Sequence, residues 1–379
     1  VSAAAAAGPA QPDVSEAVKL TSYFGERQRA GGRFAADALL DLYEREHVAA
    51  SVLLRGAEGY GAGHPPRGGL SLTLSEDLPL ISVAVDSRAR IEPLAGPTAR
   101  LCGPGLVTLE RARLIRGVVP GPRAAGERRP PQDHWPPEDR YGADEEARLT
   151  VYLGRHERVH RVPAFMAVCD LLYRRGLAGA TALLGVDGTA HGERQRAVFF
   201  SRNAQTPMMV VAVGSWARLA PVLPQLTGLL RRPLLTLERV QVLKRDGELL
   251  SEPAAPGPAA GAGAGEAGLP VWRKLTVYTS ETALHEGQPV HREIVRRLRA
   301  AGIAGATTQH GVWGFHGRRP PHGDRLLQLG RQVPAVTSVI DEPGRTAAAF
   351  AVIDELTRTR GLVTSELVPV VPAGREAAG

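Results

Sequence analysis

The glycines of one short run carry the first suggestion of chemistry. Gly56-Ala57-Glu58-Gly59-Tyr60-Gly61 follows an apolar stretch, and Gly311-Val312-Trp313-Gly314-Phe315-His316-Gly317 repeats its G-x-x-G-aromatic order with a further glycine close behind. Gly185 and Gly188 keep the G-x-x-G part a third time. Glycines after a strand accept positive φ and leave backbone N–H groups uncovered, a concavity able to accept an anion. Arginines follow two of the runs, Arg194 and Arg196 in one and Arg318 and Arg319 in the other, so a phosphate or carboxylate has cations to meet it. The same run also reads as a turn that ends a strand and plugs the core with its aromatic ring.

Histidines offer a rival chemistry. His310, His316 and His322 fall six residues apart, with His285 and His291 upstream, and imidazoles are common metal ligands. They lack the fixed short spacing of a zinc or copper motif, so the trio stands only as an alternative to a chain without metal. Cys102 and Cys169 form no C-x-x-C pair; that excludes a disulfide framework, fits a reducing cytosol, and makes both small core residues. There is no G-x-S-x-G elbow and no Walker lysine, and Glu76-Asp77 reads as the end of a loop before a strand. With no base, nucleophile and pocket to name, the chain reads as non-enzymatic.

The charge balance invites a nucleic-acid reading, with a formal charge of +7 and a pI near 9.8. Lysine occurs only at Lys19, Lys244 and Lys274, so nearly all of the 46 basic residues are arginine in a chain swollen with Ala, Gly and Pro. That pattern reflects GC-rich codons as readily as selection for phosphate, and 5% aromatic residues leaves few platforms for bases. Nucleic acid is therefore not expected as a partner. A 43% apolar chain of 379 residues can bury real cores, and no stretch approaches the length of a membrane span.

The elements that must hold these residues come in triplicate. Lys19-Leu20-Thr21-Ser22-Tyr23 recurs as Arg148-Leu149-Thr150-Val151-Tyr152 and Lys274-Leu275-Thr276-Val277-Tyr278, at offsets of 129 and 126 residues. Each copy closes on Leu106-Val107-Thr108, Leu234-Leu235-Thr236 or Leu362-Val363-Thr364. In the second copy, 149–153 alternates as a strand should, and Phe165, Val168, Cys169, Leu172 and Tyr173 keep helical spacing up to a cap at Gly176. Strands over 178–186 and 208–213, a helix over 217–230 and a strand over 234–243 complete a β-α-β-β-α-β order.

That order predicts an α+β fold of ferredoxin-like modules, each an antiparallel sheet with both helices on one face. The bare sheet face needs a partner, and three modules in one chain supply it at high effective concentration. The expected organisation is a tail over 1–16, module 1 over 17–116, a stiff Pro-rich linker over 117–146, module 2 over 147–245, a loose Ala/Gly/Pro linker over 246–271, module 3 over 272–372 and a tail over 373–379. The modules are expected to pack as a pseudo-trimer within a monomeric chain.

Leu54-Arg55-Gly56-Ala57-Glu58-Gly59-Tyr60-Gly61, Leu74-Ser75-Glu76-Asp77-Leu78-Pro79 and Val85-Asp86 closely resemble the DUF190 (UPF0166) family. The third copy keeps Gly311 to Gly317, Val333-Pro334 and Asp341, while the second has Gly214 in place of the aspartate and is the most degenerate. The family is related to the PII nitrogen-regulatory proteins and to CutA, trimers of ferredoxin-like subunits. The resemblance implies a regulatory protein whose loop after the second strand meets partners and whose inter-module clefts bind a small anion such as an adenine nucleotide. It brings Arg55, Asp86 and Asp341 into the candidate site. PII proteins grip phosphate with a lysine before the last strand; here that turn reads Gly103-Pro104-Gly105-Leu106, and Arg231-Arg232 and Arg358-Thr359-Arg360 in the later copies. Arg232 and Arg360 are thus the implied substitutes, and the three clefts are expected to be unequal. The partner implied is a membrane transporter, in particular a fluoride channel. The other reading is a CutA-like metal-binding or purely structural scaffold.

Overall fold

The structure is a computed structural model that describes residues 13–61, 67–68, 78–117, 144–190, 193–194, 206–253, 268–317, 319–323 and 333–372. Repeat 1 runs β1 (Asp13–Gly25), α1 (Ala35–Arg45), β2 (Ala50–Arg55), a short arm β3 (Glu58–Tyr60), β4 (Pro79–Ser87), α2 (Arg88–Cys102) and β5 (Leu106–Arg116). β1 pairs antiparallel with β4 and β5, and β4 pairs with β2, so the sheet order is β5-β1-β4-β2.

Repeat 2 follows with β6 (Glu146–Gly154), α3 (Ala164–Arg174), β7 (Gly179–Ala190), β8 (Pro207–Ser215), α4 (Trp216–Leu219), α5 (Leu223–Leu229), β9 (Leu234–Arg239) and β10 (Gln241–Arg245). Repeat 3 comprises β11 (Val271–Ser280), α6 (Val290–Ala300), β12 (Ala306–His310), the arm β13 (Trp313–His316), β14 (Pro334–Asp341), α7 (Pro343–Leu356) and β15 (Leu362–Val371). Their sheets take the same order, β9-β6-β8-β7 and β15-β11-β14-β12.

Period-two alternation gives each strand two apolar faces. In repeat 1, Leu53, Leu80 and Ala84 face the helices, packing with Leu39, Leu40, Tyr43, Ile91 and Cys102. Val52, Leu54, Ile81, Val83 and Val85 face the other way, onto Tyr152, Leu183, Met209 and Val211 of repeat 2 and Tyr278 of repeat 3. The second sheet face is therefore covered by the neighbouring repeats.

Backbone ladders join the three sheets into a closed ring. At one end, β7 pairs with β2, β13 with β7, and β3 with β12. At the other, β5 pairs with both β9 and β15, and β10 pairs with β15. A closed ring leaves fewer strand edges open to other chains. No described helix is long and apolar enough to cross a membrane.

Five expectations about elements and their bounds need correction. The helix over 217–230 is split into α4 and α5, because Pro221 has no N–H to continue the ladder and its ring crowds the preceding turn. The strand over 234–243 breaks at Val240, whose N–H leaves the ladder for Glu146 O at 3.1 Å. The strand over 178–186 extends to Ala190 as β7. Both linker and tail also give up ground. The stretch after Arg245 folds back as a hairpin, with Leu250 N–H donating to Leu243 O at 2.8 Å, and β1 already begins at Asp13, in register with Arg116. The Pro-rich segment 118–143 and the tail 373–379 lie outside the described residues.

Candidate functional site

The glycine runs lie at the seams of the ring. Gly59 faces Thr307 in the β3–β12 ladder, Gly188 faces Val52 beside the Ser51–Thr189 pair, and Gly314 faces Thr181. A Cβ on Gly59 would lie 2.6 Å from Ala306 O, and one on Gly188 or Gly314 would collide with Ser51 O or Ala180 O. The earlier glycines serve the same approach: a Cβ on Gly56 would meet the Thr307 methyl at 3.1 Å, on Gly185 a Val52 methyl at 2.8 Å, and on Gly311 the Thr181 methyl at 2.8 Å. Two of their N–H groups are spent inside the protein: Gly56 N–H donates to Pro79 O at 2.8 Å and Gly311 N–H to Pro334 O at 2.7 Å. The anion-accepting reading of this run is corrected: these glycines let one repeat's backbone lie on the next. Only Gly61 has open space at its Cβ position among the glycines of the first run.

The aromatic residue of each run enters the neighbour's core. Tyr60 joins the core of repeat 3, and Phe315 that of repeat 2, edge-on to Tyr173 with ring centroids 5.3 Å apart. Burying such a ring is worth about 1.5–3 kcal/mol. In repeat 2 the equivalent residue is Thr189, whose hydroxyl meets that of Ser51 at 2.9 Å.

Asp86 and Asp341 prove structural as well. Asp86 accepts from Ala49 N–H at 2.9 Å, Ser87 N–H at 2.6 Å and the Arg116 guanidinium at 3.0 Å. Asp341 does the same for Ala304 N–H at 2.8 Å and Glu342 N–H at 2.7 Å. Each pins the entry of the second strand to the start of the second helix. Gly214 lacks this clasp, and Leu177 packs 3.7 Å from its Cβ position. Arg55 is half exposed and pairs with Glu26 at 2.7 Å, while Arg232 is exposed in the turn before β9. Arg194 sits in a two-residue arm that folds back on Thr189–Ala190. Arg196, Arg318, Glu76 and Asp77 lie outside the described residues.

At the centre of the ring lies a cluster of six charges. Lys19, Arg148 and Lys274, equivalent in the three repeats, alternate with Glu110, Glu238 and Glu366, and all six side chains are at most 9% exposed. Lys19 lies 2.5 Å from Glu110 and also pairs with Glu238. Arg148 binds Glu238, reaches Glu366 at 2.7 Å and Glu110 at 3.3 Å, and Lys274 reaches Glu110 at 3.0 Å and Glu366 at 3.4 Å. Burial alone would raise the Glu110 carboxyl, but Lys19, Lys274 and Arg148 hold it well below the usual carboxylate range. Burial likewise works against the Lys274 ammonium, and Glu110 and Glu366 more than reverse it. The three carboxylates converge within 4.8 Å, yet three cations already neutralise them, which is no donor set for a metal. The glutamates were readable in the sequence, one step beyond the quoted motif: Leu-x-Thr is followed by x-Glu in all three copies.

The candidate arginines that do converge stand in repeat 3, where Asp246, from the hairpin after β10, is the one lining residue from outside that repeat. A cleft of about 700 Å³ is lined by Arg319, Arg360, His316, His322, Asp246 and the wall of Phe315, Leu284 and Leu356. Neither guanidinium has an ion-pair partner among the described residues, whereas His316 Nε2 lies 2.8 Å from Asp246 Oδ1 and His322 Nδ1 donates to Pro320 O at 2.9 Å. Thr279, Ser280 and Thr282 add hydroxyls. His310 lies elsewhere, 3.7 Å from Glu281, so the proposed histidine trio does not form one site. A larger cavity of about 1090 Å³ opens over the central charges, with Glu110, Glu366 and several arginines on its walls. Those charges are matched: Arg88 reaches Glu92 at 2.6 Å and Arg239 reaches Glu145 at 3.1 Å.

Comparison with known proteins agrees with the triplication. The model of the DUF190 family, described as uncharacterized ACR, COG1993, matches residues 17–114, 146–242 and 272–370. A UPF0166 protein of Aquifex aeolicus (strain VF5) is 29% identical over 97 residues, which is 26% of this chain and 90% of that protein. Among solved structures, a crystal structure of aspartate kinase from Synechocystis aligns with 95% of this chain at 10% identity and a TM-score of 0.25. The chain spans 46% of that enzyme's length, and a likeness so slight carries no argument.

Proposed function

We propose, from the premise that this chain belongs to the DUF190 family in three tandem copies, that it is a non-enzymatic ligand sensor of the PII kind. In this reading the repeats are ferredoxin-like modules acting as a single-chain pseudo-trimer. The strand order within each sheet and the cyclic seams support that view.

One observation carries the ligand class. Arg319 and Arg360 face a single cleft of repeat 3, closed on one side by Asp246, without ion-pair partners among the described residues and beside an apolar wall. Two guanidiniums suit phosphate oxygens, and the wall formed by Phe315, Leu284 and Leu356 suits a flat apolar group. A small anion is the ligand, and an adenine nucleotide is its best fit. Occupancy would be read by a partner, for which the family resemblance suggests a membrane transporter or fluoride channel.

Calorimetric titration of the full chain with ATP, ADP, AMP and cyclic nucleotides tests the reading. A saturable response that is lost in Arg319→Ala with Arg360→Ala supports it. No nucleotide response, or one indifferent to both substitutions, overturns it.

A further inference from the structure

Two guanidiniums and two imidazoles line the cleft of repeat 3, yet an acid lines it too. Asp246 enters from the hairpin that follows β10. Lys244 pairs there with Leu249 and Arg245 with Glu248, so Asp246-Gly247 is a two-residue turn, with φ of 49° and 90°. Such turns take Asn-Gly as readily as Asp-Gly. The backbone therefore accounts for the shape of residue 246 and not for its charge. That charge passes both arginines by and lies against His316, with Oδ1 at 2.8 Å from Nε2 and the Asp246 side chain 51% exposed.

The hairpin fixes where the carboxylate stands. Asp246 N–H donates to Gly361 O at 2.8 Å, beside Arg360, and a Cβ on Gly247 would collide with Arg358 O. Lys244 Nζ, at the start of the turn, reaches Asp354 of α7 at 2.5 Å. His316 ends β13, three residues before Arg319. Asp246 thus has its backbone against the turn of Arg360 and its carboxylate against the arm that leads to Arg319. The contact with His316 is one of charge, since Nε2 has no hydrogen-bond partner among the described residues. Thr279 Oγ1, buried in the same lining, has none either. Both can donate to an oxygen of a ligand, the imidazole in its Nε2–H form.

We propose, resting on the reading of this cleft as an anion site, that Asp246 is a built-in competitor of the anion: it occupies the His316 side of the cleft and sets how much ligand is needed to fill it. A phosphate that meets Arg319 and Arg360 approaches a fixed charge of its own sign, and it gains the imidazole only by displacing the carboxylate. Repeat 2 thereby tunes a cleft of repeat 3, because residue 246 is held on the chain that leaves β10. Removing the charge while keeping the turn should tighten binding about 10-fold, and dissolved salt should shrink that gain.

The test is calorimetric titration of the full chain with pyrophosphate at low salt and in about 0.5 M NaCl. Asp246→Asn suits a residue at positive φ and should bind about 10-fold more tightly than the parent at low salt, with a smaller difference at high salt. Glu248→Gln removes an exposed acid of the same hairpin that does not line the cleft; it controls for net charge and should stay within about twofold of the parent. Adding Arg319→Ala and Arg360→Ala to Asp246→Asn should abolish the signal. Binding by Asp246→Asn no tighter than by the parent, or an equal gain in Glu248→Gln, overturns the competitor and leaves the anion site standing. No binding by either the parent or Asp246→Asn, or binding that survives loss of both arginines, overturns the anion site and the competitor with it.

Discussion

Removing one charge from the buried ring is the most demanding test of how the repeats are held. Glu238 accepts from Lys19, from Arg148 Nε at 3.0 Å and from Thr236 Oγ1 at 3.3 Å, at 1% side-chain exposure. With three cations and three carboxylates the ring is neutral. Glu238→Gln keeps the shape but leaves one buried cation uncompensated. Breaking a buried pair in this way costs about 3–5 kcal/mol. Glu26→Gln is the control, since its pair with Arg55 is 2.7 Å long but 36% and 50% exposed, and such pairs are worth about 0–1 kcal/mol. Urea unfolding at pH 7, followed by circular dichroism, should show a large fall in midpoint at unchanged slope for the first and little change for the second. The pH dependence has a defined sign. Glu110 and Glu238 are held below their ordinary values, so their contribution is present above the unfolded carboxylate pKa near 4.3 and is lost as pH falls through the lower folded value. Lys274 is raised, so its contribution is present below about 10.4 and is lost as pH rises through the higher folded value. The ring therefore contributes steadily between about pH 5 and 10. A Glu238→Gln protein within about 1 kcal/mol of the parent would refute this account.

Gly188→Ala should open the seam between repeats 1 and 2, because the new methyl meets backbone at Ser51; a drop in stability above about 1 kcal/mol is expected, whereas Gly61→Ala, with open space at its Cβ position, should be mild. Asp86→Ala strands the Ala49 and Ser87 N–H groups and the Arg116 guanidinium, which should cost about 1–3 kcal/mol by the same assay. Glu58 and His291 give pH slopes of opposite sign, both caused chiefly by burial. Glu58, raised to about 7, favours the fold less as pH rises from about 4.5; His291, lowered to about 4, favours it more as pH rises towards 6.5. Glu58→Gln should therefore leave stability rising with pH between about 4 and 6.5, and His291→Phe should leave it falling between about 4.5 and 7, measured by urea midpoints.

Periodicity made the repeats and most of their elements legible, since Leu149 to Leu153 and the spacing from Phe165 to Tyr173 are local signals. The break at Pro221 was equally local and was passed over because the apolar spacing continues on both sides of it. The glycine runs misled for a different reason. A glycine needed for φ > 0 and a glycine needed for backbone approach look identical in a sequence, and Gly59 and Gly188 are of the second kind. Asp86 and Asp341 suffered the same ambiguity, as a carboxylate that clasps backbone N–H groups has the composition of one that meets a ligand. Lys19, Arg148 and Lys274 were visible as repeat markers, but their meeting with Glu110, Glu238 and Glu366 depends on three sheets closing on one another. No window along the chain contains that fact. The cleft of Arg319 and Arg360 joins a loop to a turn some forty residues later in the same repeat, and only the resemblance to a known family brought those two residues into one list.

The cyclic hand-off of strands, in which each repeat lays its arm on the next, has a consequence for how this molecule can vary. In an assembly of three identical chains every substitution is written three times, and all seams change together. Here each seam has its own address in one polypeptide: the Phe315 plug at one, the Ser51–Thr189 hydroxyl pair at another, and the His291 and His310 imidazoles with the Glu58 carboxylate at the third. A change at position 58 touches one junction and leaves two untouched. Joining the copies covalently also means that dilution cannot separate them, so the three junctions can differ in chemistry while the closed ring persists at any concentration.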